Sequence, residues 1–149
     1  MKRKGLLVIA AAHVLLISSF AHADTILFKF SNDVCDTVDG KWTGTGKVSV
    51  GAIKCVYNGT AMISGTPDNL GLDVTLNKTS GICPAQEHIQ LSGGTCHQGV
   101  IALHTPNVAN LDGNLDASGT KASVTGNVTF ELLGKEVTAN VDEMDLSKS

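Results

Sequence analysis

Four cysteines and three histidines are the residues best suited to chemistry: Cys35, Cys55, Cys83, Cys96, His88, His97 and His104. His88 lies between Cys83 and Cys96, and His97 follows Cys96 directly. Thiolates and imidazoles together can hold zinc. Structural zinc sites, however, favour tight pairs such as C-x2-C, which place two thiolates on one turn. Cys83 and Cys96 have twelve residues between them, and no C-x-x-C occurs in the chain. An even set of widely spaced cysteines in an exported chain reads as disulfides. The spacing thus predicts two disulfides and no metal, with the histidines on a solvated strand face. No G-x-S-x-G surrounds a serine. Gly44-Thr45-Gly46-Lys47 lacks the remainder of a phosphate loop. Asp142-Glu143-Met144-Asp145 lacks the spaced carboxylates of a calcium loop. No catalytic constellation and no cofactor are expected, so the chain reads as a binding protein rather than an enzyme.

The oxidised state follows from the first residues. Met1-Lys2-Arg3-Lys4 is a basic start, Gly5 to Phe20 is an apolar run, and Ala21-His22-Ala23 is a small-x-small site before Asp24. That is the pattern of a signal peptide over residues 1–23, cleaved between Ala23 and Asp24, with a single secreted domain over 24–149. The run is too short for a membrane anchor. The expected location is the periplasm or the outside of the cell. Removing Lys2, Arg3 and Lys4 leaves eight lysines against fourteen acidic residues, and no arginine. An acidic chain without arginine is a poor partner for nucleic acid.

Positioning these residues falls to strands. Apolar and polar residues alternate with period two over most of the chain, and no segment carries a helical period. Strands are predicted over Thr25–Ser31, Lys41–Val50, Ile53–Ser64 and Leu70–Lys78. A hairpin is predicted from Glu87–Ser92 and Thr95–Thr105, turning at Gly93-Gly94, followed by strands near Asn110–Ala117, Lys121–Leu132 and Glu136–Leu146. Eight or nine short strands with short turns predict an all-β antiparallel meander closing into a small barrel, with a β-sandwich as the alternative. After position 23 only five aromatics remain, Phe28, Phe30, Trp42, Tyr57 and Phe130, too few for the girdles of an integral outer-membrane barrel. No membrane insertion of the mature chain is expected. Within this pattern each half carries a cysteine in a loop, a strand, a turn and a second cysteine. This favours Cys35–Cys55 and Cys83–Cys96 among the three possible pairings.

Trp42 and Tyr57 are the candidate ligand contacts. Gly40-Lys41-Trp42, at the start of a long strand ahead of a meander, resembles the G-x-W signature of lipocalins. In that family the tryptophan plugs one end of an eight-stranded barrel that holds a small apolar ligand. The resemblance spans three residues; the arginine that lipocalins pack on the tryptophan and their terminal helix have no counterpart here. The expectation is an exported, soluble barrel that binds a small apolar ligand. The alternative is a protein-binding module such as a secreted hydrolase inhibitor. The inward faces decide between them: interdigitated side chains would fill the barrel, whereas small residues such as Gly113 and Gly126 would leave room for a ligand.

Overall fold

A computed structural model describes residues 33–149. The predicted strand Thr25–Ser31, the leader and the Ala23–Asp24 site lie outside these residues. The alternation of the sequence becomes eight antiparallel strands: β1 Gly40–Val50, β2 Ile53–Thr66, β3 Asn69–Ser80, β4 Gln86–His97, β5 Val100–Thr105, β6 Ala109–Leu115, β7 Lys121–Leu132 and β8 Lys135–Lys148. Each strand pairs with the next, and β8 returns to pair with β1, closing a barrel in the order of the chain. Closure removes the two terminal edges of the sheet, which is why a meander of this length need not become a sandwich. A single 3-10 turn, Val34–Thr37, precedes β1.

The inner face is apolar and the outer face polar. On β3, Leu70, Leu72, Val74 and Leu76 point inward, while Asp73, Thr75 and Asn77 point out. This is the reverse of an integral membrane barrel, whose outer band is apolar. Among the described residues no helix is long and apolar enough to cross a membrane.

Two bulges change which parity faces inward. On β8, Val141 is followed inward by Met144 and Leu146, so Asp142 and Glu143 both face out. On β4 the pairing with β3 shifts between Leu72–Leu91 and Leu70–Gly94. Gly93 sits there at φ +73°, a left-handed conformation that glycine adopts without strain. This corrects the hairpin expected at Gly93-Gly94. The backbone does need glycine at this point, but the strand runs straight through and reverses only at Gln98-Gly99.

The disulfides differ from the favoured pairing as well. They are Cys35–Cys96 and Cys55–Cys83. The reason is the length of the strands. β1 runs for eleven residues between Cys35 and Cys55. At about 3.3 Å per residue that separation far exceeds the roughly 7 Å between Cα atoms that a disulfide can bridge. β4 likewise carries Cys96 to the end opposite Cys83. The cysteines therefore pair by barrel end, at Cα separations of 5.5 Å and 6.2 Å.

Candidate functional site

The two ends of the barrel are built differently. One is a floor. Here the 3-10 turn folds under the strands, fixed by Asp33, whose carboxylate accepts from the Cys35 amide at 3.0 Å and from the Gln98 amide at 2.6 Å. These bonds hold the Asp33 carboxyl below the usual carboxylate range, the Cys35 amide contributing most. Cys35 and Cys96 are fully buried, and Val38 and Trp42 lie beside them. Trp42 donates its indole N–H to the Val38 carbonyl at 2.8 Å, which satisfies the polar atom of the largest buried side chain. Trp42 thus closes the base of the barrel, beside a void of about 30 Å³, and is not among the residues lining the main cavity.

The other end is a mouth. From mid-barrel to this end runs a cavity of about 100 Å³. Its walls are Val48 and Val50 of β1, Leu72, Val74 and Leu76 of β3, Ile89 of β4, Val128 and Phe130 of β7, and Ala139 of β8. Glycines make the room. Gly44, Gly46 and Gly59, on neighbouring β1 and β2, all line the cavity, and Gly44 pairs directly with Gly59. A β-carbon on Gly44 would lie 1.9 Å from the Asp145 carbonyl oxygen, so glycine there also answers the close approach of β8. Gly113 and Gly126, the positions expected to leave space, do not line the cavity and serve only such close approach. Both lie where β6 and β7 run too close for a side chain, with Ser123 and Asn110 carbonyl oxygens at 2.8 Å and 2.1 Å from where their β-carbons would sit.

Tyr57 stands in the cavity wall near the mouth, where its hydroxyl donates to the Pro84 carbonyl at 2.8 Å. Burial raises its pKa, and the negative charge of Glu87 adds to the effect. The Cys55–Cys83 disulfide and this bond together pin the β3–β4 loop over one side of the mouth. Lys78 adds a third tie, from its ammonium to the Cys83 carbonyl at 2.8 Å.

Beside that loop, at the next hairpin round the barrel, the strands are shorter. β5 ends at Thr105 and β6 begins at Ala109, while β4 and β7 continue past them to Gln86 and Leu132. The β4–β5 ladder spans only Thr95–Ala102, Cys96–Ile101 and His97–Val100. Gln86–Leu91 of β4 therefore has no ladder partner on that side among the described residues. β7 meets the β5–β6 turn through the Thr129 amide, which donates to the Val108 carbonyl at 2.7 Å, and then rises free. Ile89 of β4 and Phe130 of β7, on the two strands that continue past this turn, both line the cavity.

The histidines face outward, each beside an aspartate. His88 sits 2.6 Å from Asp73, His97 3.3 Å from Asp68, and His104 2.9 Å from Asp112. His88 and His97 had been expected on two arms of one hairpin. They occupy one strand, on either side of its bulge, and are not brought together. The Asp73 carboxyl is held below its usual range, chiefly by the His88 hydrogen bond. Among the described residues no group of three or more metal-ligating side chains converges.

Sequence reading found the inward face of β3; of the two candidate contacts Tyr57 lines the cavity and Trp42 does not. The signal of the cavity was present as the spacing Gly44, Gly46 and Gly59, which acquires meaning only once the β1–β2 register sets those residues side by side. The chain matches no family model, and neither the curated proteins nor the solved structures contain a match to it.

Proposed function

We propose that the protein is an exported, non-catalytic binding protein that holds the apolar part of a small ligand in the mouth half of its barrel. The observation that carries this reading is the cavity of about 100 Å³, walled by Val, Leu, Ile and Phe side chains and by glycine. Apolar cavities of roughly 150 Å³ stay dry and admit benzene-sized molecules. The fitting ligand is therefore a short acyl chain or a single hydrocarbon ring. Any polar group it carries belongs at the mouth, where Glu87 is the charged residue of the lining. Trp42 serves as the floor and Tyr57 as a wall contact. The two disulfides accord with the oxidising compartment that the leader implies.

Filling the cavity tests the reading. Val74 is half-buried and projects into the space. Val74→Phe should weaken binding of a short fatty acid or a fluorescent apolar probe by at least about tenfold. A larger apolar residue in an existing void costs little, so the melting temperature should fall by no more than a few degrees. Titration calorimetry and thermal unfolding on both proteins give the two numbers. A native protein that takes up no apolar probe, or a variant that binds as well as the parent, would refute the cavity as the binding site.

A further inference from the structure

Four of the six large apolar side chains that the described residues expose lie at the mouth. Leu133 is 97% exposed, Ile82 82%, Ile53 42% and Leu132 39%. They sit on the tips of three hairpins: β1–β2, β3–β4 and β7–β8. The turns at the floor end carry Asp68, Gln98 and Asp116, with Val100 the one large exposed apolar side chain beside them among the described residues. Leu133 holds φ +52°, a conformation a branched side chain adopts only when the turn demands it. An exposed leucine at such a position gains nothing for the fold. Clustered exposed apolar residues mark a surface that meets something apolar.

Charge is segregated along the same axis. Within two residues of the strand ends at the mouth stand Lys54, Lys78 and Lys135 against Glu87, Glu131 and Glu136, so this end carries no net charge. The rest of the described chain holds ten acidic residues against four lysines. A rim without net charge matches a surface without net charge, whereas the acidic remainder would be repelled by an anionic one. The shortened β5–β6 hairpin, between the longer β4 and β7, lies at this same end.

We infer that the mouth of the barrel docks on a zwitterionic lipid surface, with Ile53, Ile82, Leu132 and Leu133 entering the headgroup layer. The passage of an acyl chain from that layer into the cavity rests on the binding reading above; the docking itself does not. Side chains inserted this way add affinity in proportion to the apolar area they bury, without any segment spanning the bilayer.

The test is flotation of the disulfide-bonded protein with phosphatidylcholine vesicles, in parallel with probe binding in vesicle-free solution. The native protein should float. Ile82→Ser with Leu133→Ser should lower the bound fraction by about tenfold or more, as two inserted side chains require. Because both residues are exposed, the variant should keep its melting temperature and its probe affinity. A native protein that stays with the unbound fraction overturns the proposal, as does a double variant that floats equally well. A dimer that the double variant converts to monomer also overturns it, because the rim would then be an interface between two copies. Flotation lost with probe binding kept confirms docking. Probe binding absent with flotation kept refutes the cavity reading and leaves docking intact.

Discussion

Floor and mouth share eight strands and one disulfide each, yet they use them in opposite ways. At the floor the staple, the buried Trp42 and the Asp33 bonds draw the 3-10 turn under the strands and bury Cys35, Val38 and Cys96 with it. At the mouth the staple holds a loop aside, Tyr57 braces that loop, and apolar residues are left both lining a cavity and standing in solvent. One end concentrates the packing that stabilises the fold. The other keeps a cavity and exposed apolar side chains. Stability and binding should therefore separate cleanly by barrel end.

The largest effect that can break this division is at Trp42. Trp42→Ala removes the biggest buried side chain and leaves the Val38 carbonyl without its donor, and should cost about 3–5 kcal/mol. Denaturant unfolding would measure it, beside Leu133→Ser at the mouth, which should fall within about 0.5 kcal/mol of the parent. Comparable losses at both positions would mean that the floor is not the stabilising end.

Removing each disulfide sharpens the contrast. The floor bridge closes a loop of 61 residues and the mouth bridge one of 28. In the chain-entropy picture they contribute about 4 and about 3.5 kcal/mol. Equilibrium unfolding of Cys35→Ser/Cys96→Ser and Cys55→Ser/Cys83→Ser should place the floor variant lower by a small margin. Only the mouth variant should also lose affinity for an apolar probe, because only its bridge adjoins the cavity.

The smallest effect is a pH dependence. The folded Asp33 carboxyl binds its proton less tightly than it does in the unfolded chain. Its contribution is therefore complete above the ordinary carboxylate range and disappears as the pH falls through its lower folded pKa. The protection of the Cys35 and Gln98 amides, their exchange rate relative to the intrinsic rate at each pH, should fall over that acid range in the native protein. Asp33→Asn should abolish the acid dependence at those two amides. Unchanged protection at low pH would show that the floor is held without this carboxylate.

Most of the fold was legible because alternation is a direct consequence of having one apolar face. β1, β2, β3, β7 and β8 begin and end within a few residues of their expected bounds. What was not legible depends on register. A Gly-Gly pair announces a left-handed backbone, but a turn and a bulge both use it, and only pairing with β3 shows which applies at Gly93. The cysteine pairing failed for a related reason. Neighbours in sequence are separated by whole strands, so Cys35 and Cys55 lie at opposite ends of the barrel. Of the candidate site, the apolar residues of β3 could be read from the sequence. The cavity could not, because it is a property of facing glycines and not of any one residue.

Closure of the barrel by β8 on β1 has a consequence for how the chain is made. Every other seam joins neighbours in sequence and can zip up as successive hairpins emerge. The last seam joins β1 to β8, Trp42 pairing with Lys148. Its loop-closure entropy comes due only when both of these strands, far apart in sequence, are in place. A chain cut short before Lys135 would lose all of β8 and leave β1 and β7 as long unpaired edges, prone to associate with other chains. The same architecture that needs no helix to cover its edges thus makes completeness of the chain a condition for staying apart from its neighbours.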